Sequence, residues 1–503
     1  MDTQQPTPYP STHDKTFSTQ TTQQRLFGAR LCVDHWFNRH LVHDRRHKRR
    51  SASARRTIWN LRWPLGADVF YSIQPLRSLR GNGSLISVFC LMHSAEPLTR
   101  RDALKAWKDF LPGVPAYSHK RNHVQEGHGN VSRLGAGIRF RTLSEDEVIQ
   151  DTLNEHKFEA AEKWLQEVCW RRYWKGWLEM HPQLWAQWRR RVRLLRQTLP
   201  AEILERADAV SASSSGVACM DRIASELVDT GYLHNHARMW WASFWIHVEL
   251  LPWELGADFF FRHLLDADPA SNTLSWRWVA GLQTAGKSYL VRRSNIEKYA
   301  PDYLSGNGAG SERLADGVVT ARVMERFEVL DKEPLAAYPT SFAQTTERTG
   351  LWLHADDLLP EIGPLAGLAP TSIASCVSDS VYRRDYRLGE RRIESLHTVI
   401  GDGLSRAAAH YGCPSVLVEA DNPVEGLVAW ARDNKLEKVV AFAPFVGPTR
   451  DILARLNEGL ESAGIRMTLI RRSSDETAFS FASAGFFPFW QKMSRHLILR
   501  TQS

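Results

Sequence analysis

Two stretches of the chain gather side chains able to grip a flat, charged ligand. TGYLHNHARMWWASF (residues 230–244) carries Arg238, and DADPASNTLSWRWVAG (residues 266–281) carries Asp266, Asp268, Asn272, Trp276 and Trp278. An Asp-x-Asp turn followed by an Asn offers acceptors and donors to a polar heterocycle and to sugar or ribityl hydroxyls. Arg238, with Arg171 upstream, offers charge to phosphates or to an anionic ring. Each feature also has a plain structural reading: helix N-caps for Asp266 and Asp268, core packing for the tryptophans. A third stretch, GLQTAGKS with Gly281, Gly286, Lys287 and Ser288, spells the phosphate-loop pattern. Such a loop works only where it follows a buried strand and opens a helix, and here it falls in a helical region.

Composition sets the frame for these residues. At 503 residues the chain has room for about three domains. Hydrophobic residues are 43% and charged residues 24%, enough to bury a core. The 64 basic and 56 acidic residues leave a net charge of +8, which suits a phosphate-bearing partner without requiring one. Tryptophan, at 19 residues, serves core packing or stacking on flat ligands and bases. The cysteines Cys32, Cys90, Cys169, Cys219, Cys376 and Cys413 are dispersed with no C-x-x-C pair. That argues against zinc ribbons, other metal sites and a disulfide framework, and for a reducing compartment. No apolar run is long enough to span a membrane and no clean secretory signal precedes the fold, so the expectation is an intracellular, soluble monomer, cytoplasmic or nuclear.

The elements that must position the site follow from the pattern. Residues 1–95 are rich in Gln, Thr, Ser and Pro and then strongly basic (Arg45 to Arg50, Arg55, Arg56), which reads as a disordered extension, a nucleic-acid arm or a targeting segment. Residues 96–310 have helical periodicity, apolar over much of the circumference, as interior helices are. Residues 311–347 read as a linker. From 348 to 503, GLWLH (350–354), SVLVEA (415–420), KVVAFAP (438–444) and IRMTLIRR (465–472) are short apolar runs separated later by helical stretches at about 423–434 and 449–463. That alternation predicts a parallel sheet covered by helices. The fold class expected is α plus α/β: an all-helical domain followed by a Rossmann-like one.

With YSHKRN…VSRLG, EKWLQEVCWRRYW, TGYLHNHARM, DADPASN and SWRWVAG in this order, residues 117–300 resemble the flavin-binding domain of the DNA photolyase and cryptochrome family. The resemblance implies FAD held by Tyr117, Ser132, Leu134, Trp164, Arg171, Asn235, Arg238, Asp266, Asp268 and Asn272. It implies a flipped-out pyrimidine dimer held by Glu167, Trp170, Asn235, Met239 and Trp278, and photoreduction of the flavin through Trp276 and Trp253. A lesion that must leave the duplex needs aromatic walls, a carboxyl at its base edge and a polarizable filler, which these residue types supply. GLWLHADDLLPE, VLVEADNPVEGLVAWA, VVAFAPFVGPTRDILARL and GFFPFWQKM resemble the family's light-harvesting domain, which ordinarily comes first in the chain; an antenna chromophore or a bare nucleotide-type sheet are both compatible with it.

The chain departs from the family pattern in places. The phosphate-contacting TSRLS reads Val131, Ser132, Arg133, Leu134, Gly135, and a family Arg is His236. The outermost Trp of the relay falls near Leu199, with Trp185 and Trp188 as substitutes. Positions 234 and 235 read His-Asn, not the His-His of six-four photolyases. The function expected is light-driven, FAD-dependent repair of cyclobutane pyrimidine dimers in DNA. The alternatives are a cryptochrome-like photoreceptor acting through a signalling partner, a phosphate-loop ATPase, and a flavin-binding remnant.

Overall fold

The computed structural model describes residues 96–284, 288–305, 308–314 and 331–502; the basic N-terminal stretch, and Gly286 and Lys287 of the phosphate-loop match, lie outside them. The described residues form one compact unit in which a helical half and a sheet half are packed together.

The helical half comprises α1 (Arg100–Phe110), α2 (Gly135–Phe140), α3 (Glu145–Glu155), α4 (Phe158–Glu179), α5 (Gln183–Thr198), α6 (Ala201–Ser211), α7 (Ala218–Thr230), α8 (Asn235–Ser243), α9 (Trp253–His263), α10 (Pro269–Val279) and α11 (Arg293–Tyr299). Local chemistry sets their ends. Ser144 and Glu147 form a capping box at the start of α3, and Pro200, Pro252 and Pro269 precede or open α6, α9 and α10. Helix α4 is buried on nearly every side, which is why its sequence shows no clean polar face. Trp107, Trp188, Trp240, Trp241 and Trp245 are among the largest fully buried side chains, so much of the tryptophan load is core.

The sheet half is a five-stranded parallel sheet, β1 (Thr349–Trp352), β2 (Ser372–Val377), β3 (Ser415–Glu419), β4 (Lys438–Phe442) and β5 (Arg466–Ile470), in the order β3-β2-β1-β4-β5. Leu351 pairs with Ile373 on one side and Val440 on the other. The central strands are buried on both faces, as the apolar runs predict, while β3 and β5 are partly exposed edges. Helices α12 (Glu390–Tyr411), α13 (Pro423–Asp433) and α14 (Leu453–Ser462) connect the strands. The last two helices, α15 (Ser473–Phe481) and α16 (Phe486–Gln502), turn back and pack along α4. Gly176 makes this approach close: a Cβ there would lie 2.8 Å from the Phe479 Cα.

The carboxyl ends of β1 and β4, where open α/β sheets ordinarily take a ligand, are filled by side chains from the helical half. Arg139 donates to Ala355 O (3.2 Å) and to Asp356 (3.1 Å), and Glu179 accepts from Val446 N–H (2.8 Å). The phosphate-loop reading fails its context, since GLQTAGKS follows helix α10 and no strand. Among the described residues no helix is long and apolar enough to cross a membrane.

Candidate functional site

The centre of the site is the turn Asp266–Ala267–Asp268, between α9 and α10. Asp268 is the N-cap of α10 and accepts from Ser271 N–H at 2.9 Å, so the plain reading of that residue holds. Capping fixes the direction of α10 and with it Asn272, whose amide donates to Ala257 O at 2.9 Å. Arg238, from α8, lies 3.0 Å from the Asp266 carboxylate, and Arg171, from α4, lies 3.9 Å away and donates to Gly135 O. Burial pushes the Asp266 carboxyl up, but Arg238 and Arg171 outweigh it and hold it below the usual carboxylate range. Gly135, where the family hydroxyl is lost, is where this carboxylate comes in: a Cβ there would lie 2.4 Å from Asp266 Oδ2.

More positive charge reaches this turn than sequence reasoning expected. Lys175 lies 3.8 Å and Arg139 3.7 Å from Asp268, and Arg392, from α12 of the sheet half, donates to Ala267 O at 3.0 Å. Four basic side chains thus close on three carboxylates, Asp266, Asp268 and Asp356, and a fifth, Arg392, on the carbonyl between the first two. Arg171 Nη1, Lys175 Nζ, and Nε and Nη1 of Arg392 are buried without a hydrogen-bond partner. Buried donors left in that condition destabilise the fold unless an acceptor arrives. Lys175 had a local signal, one helical turn beyond Arg171; Arg392 had none, being 221 positions from Arg171 in a different half.

The remaining expected residues surround this group unequally. Trp164 is buried, stacks on Trp107 at 5.7 Å, and meets Tyr117 edge-on at 5.2 Å. Leu134 is buried, and its N–H donates to Ser132 Oγ at 3.4 Å. Glu167 pairs with Arg121 and with Lys163 (3.1 Å), beside Tyr117. Asn235 is exposed and Met239 half-buried on the same helix as Arg238. Trp276 is buried with an unpartnered Nε1, edge-on to Trp241 at 6.2 Å and Phe260 at 5.1 Å. Trp253 is buried on α9 under the Arg277 guanidinium. Trp278 is half-buried and stacks on Tyr289 at 5.9 Å. Trp170 instead turns toward the C-terminal helix, its ring 3.5 Å from that of Phe486 and within 6° of parallel.

Helix α8 carries a built-in pH response. His234 is its N-cap and accepts from His236 N–H through Nδ1 (3.2 Å), which requires an unprotonated nitrogen. Burial first, then His128, His236 and Arg238, push His234 down to about 3. The folded chain therefore binds fewer protons than the unfolded one below pH 6.5. His234 alone should take away up to about 1.4 kcal/mol of stability for each pH unit from there toward 3. Urea unfolding at stepped pH should show His234→Asn, which keeps a capping acceptor, with a slope smaller than that of the wild type by this amount; an unchanged slope would remove His234 as a cause.

With this geometry in place, known proteins provide a comparison. Residues 164–303 match the FAD binding domain of DNA photolyase. The chain is 28% identical over 205 residues to the deoxyribodipyrimidine photo-lyase of Escherichia coli (39% of this chain, 42% of that protein). It is 33% identical over 175 residues to that of a Synechococcus strain (33% and 35%). In its helical half the chain is similar to the FAD-binding domain of DNA photolyases. Among solved structures, a class III photolyase from Agrobacterium tumefaciens is 26% identical, covering 41% of this chain and 44% of that one, with a TM-score of 0.35. The chain spans about two fifths of the length of the curated relatives it matches. The family's FAD fits the residues present, because its diphosphate would supply the acceptors that Arg171 and its neighbours lack.

Proposed function

We propose that this chain is an FAD-dependent, light-driven enzyme that repairs cyclobutane pyrimidine dimers in DNA by electron transfer. The observation that carries the reading is the surplus of buried, unpartnered cationic donors around the Asp266–Asp268 turn, inside the stretch matching a FAD-binding domain. The relatives' name, deoxyribodipyrimidine photo-lyase, supplies the reaction. Bound FAD would supply the light absorption and the one-electron chemistry. Arg171, Arg238, Asp266, Asp268 and Asn272 would hold and orient it, with Tyr117, Ser132, Leu134, Trp164 and Asn235 along its length. Trp170, Trp278 and Met239 would wall an extruded pyrimidine dimer, and Asn235 and Glu167 would hydrogen-bond its edges. Arg121 and Lys163 are the ion-pair partners of Glu167.

The test is direct. Purified chain loaded with reduced FAD is illuminated with a dimer-containing thymine oligonucleotide while thymine absorbance is followed. Recovery of absorbance is the expected result. Glu167→Ala should slow repair by about ten- to a hundredfold, the loss of one charge-assisted hydrogen bond, with FAD still bound. A chain that takes up no FAD overturns the reading, and loss of FAD from Glu167→Ala overturns the pocket assignment. A second reading, a photoreceptor of the cryptochrome kind that repairs nothing and signals through a partner, is favoured by the Phe486 ring on Trp170. Bound and photoreducible FAD without thymine recovery would select it.

A further inference from the structure

The segment after α5 has a leucine, Leu199, near the place where the family's electron relay ends in a tryptophan, yet Trp188, Trp185 and Tyr386 form a run of neighbouring rings in another direction. Trp276 lies against Gly256 of α9, where a Cβ would come 2.3 Å from its ring, one turn from Trp253. Trp188 donates its Nε1–H to the carbonyl of Glu254, the residue after Trp253, at 3.2 Å. Its ring is 5.2 Å from that of Trp185, and Trp185 is 6.5 Å from Tyr386, near parallel at 22°. Tyr386 comes from the sheet half and ends the series. Its hydroxyl donates to Asp451 Oδ2 at 2.8 Å, and Trp185 Nε1–H donates to the same oxygen at 3.0 Å. Asp451 is exposed to solvent.

We infer that Tyr386 is the terminal electron donor of a rerouted relay, with Asp451 as its proton acceptor, so that the sheet half completes the photoreduction path of the helical half. The inference rests on the reading that FAD binds beside Trp276. Bound FAD, light-excited in its oxidised form, would be the oxidant, and Trp276, Trp253, Trp188 and Trp185 would pass one electron toward it. In the final step the Trp185 radical cation takes one electron from Tyr386. The Tyr386 O–H bond breaks, and its proton forms an O–H bond on the Asp451 carboxylate. A neutral Trp185, a neutral tyrosyl radical and a protonated Asp451 remain, so electrons, protons and charge balance. An external thiol returns a hydrogen atom to the tyrosyl radical.

Two features drive the step toward Tyr386. The Arg189 guanidinium lies 5.5 Å from the Trp188 ring, 5.9 Å from Trp185 and 4.9 Å from Tyr386. A fixed positive charge there opposes a tryptophanyl cation and leaves a neutral tyrosyl unpenalised. Burial, and then Asp451, push the Tyr386 phenol well above its ordinary range, so the phenol keeps its proton until the electron leaves.

The experiment uses the full chain loaded with oxidised FAD, illuminated with blue light and read by electron paramagnetic resonance and transient absorption. A tyrosyl signal is expected in the wild type and should be absent from Tyr386→Phe. The yield of lasting flavin photoreduction in that variant should fall by about tenfold, the factor that about 1.4 kcal/mol of driving force represents. Asp451→Asn, which keeps an acceptor for Trp185 but not a base, should weaken the tyrosyl signal likewise, whereas a merely structural hydroxyl would leave the radical spectrum unaltered. Trp185→Phe gives a second break in the path should Tyr386→Phe fold poorly. Bound FAD with the same radical spectrum and photoreduction in all three variants overturns the inference and leaves the cofactor reading standing. A wild type that binds no FAD overturns both, and uptake measured before illumination separates the two failures.

Discussion

Arg141→Met should destabilise the chain by about 3–5 kcal/mol, the cost of breaking a buried ion-pair network by removing one partner. Arg141 is 1% exposed and joins the two halves. It donates to Asp357 at 2.9 Å and to both oxygens of Asp475 at 2.7 Å, and its Nε donates to Glu145 at 3.2 Å. Asp357 keeps a second, two-pronged partner in Arg472, so its loss is partial. Asp475 and Glu145 are not so placed: the nearest remaining cation to Asp475 is Arg172, at 4.0 Å. Burial raises the Glu145 carboxyl, but Arg141, then Arg172 and Lys175, overcome it and bring it down to about 2. A carboxyl lowered by folding stabilises above its unfolded value and gives that up as pH falls. The wild type should therefore weaken as pH drops from 4.5 toward 2, and the variant should have lost most of this dependence. Urea unfolding at pH 7 and at pH 3 checks both statements. Adding Asp475→Asn to Arg141→Met should recover part of the loss by removing the stranded charge. A variant within about 1 kcal/mol of the wild type at pH 7 would show that apolar packing, not this network, joins the halves.

How much of this was legible in the sequence depended on the distance over which each feature is decided. Runs such as VVAF and VLVE read as strands because a parallel sheet buries both strand faces and leaves no polar alternation to misread. Strand β2, SIASCV, escaped because its serines and cysteine dilute the apolar signal, although Ser372 and Ser375 are both buried. Helix α12 escaped because Gly401 and Gly403 interrupt its pattern; Gly403 is needed where Leu353 and Leu358 press on the helix, 3.2 Å from a Cβ. Within the site, Asp266, Asp268, Asn272 and Arg238 lie on neighbouring segments whose order the sequence displays. Arg139, Lys175 and Arg392 meet them only through the docking of one half on the other, which no local pattern encodes. The Trp170–Phe486 stack is of the same kind, joining positions 316 residues apart.

That stack sets the other large effect. Substituting Phe486 should tighten binding of a dimer-containing oligonucleotide by about 5- to 150-fold, the 1–3 kcal/mol that one base–aromatic stack contributes. A base using the covered face of Trp170 must first displace this ring, which is 6% exposed and also touches Tyr173 and Phe489. Displacement costs the stacking and burial of Phe486, and the substitution removes that cost in advance. Phe486→Ala leaves a cavity that itself costs about 3–5 kcal/mol of fold stability. Phe486→Leu is therefore the better instrument, because it fills most of the volume while giving up the flat ring. Fluorescence anisotropy on matched oligonucleotides, with and without the dimer, distinguishes the outcomes. Tightening confined to the dimer identifies α16 as an internal competitor for the lesion site and favours repair under control of the C-terminal helix. Equal tightening for both oligonucleotides places the helix against the DNA backbone path instead. No change in either means that a lesion does not use the covered face of Trp170; the repair reading then loses one wall of its pocket, and the photoreceptor reading gains, because a permanently stacked Phe486 closes that face without cost to signalling.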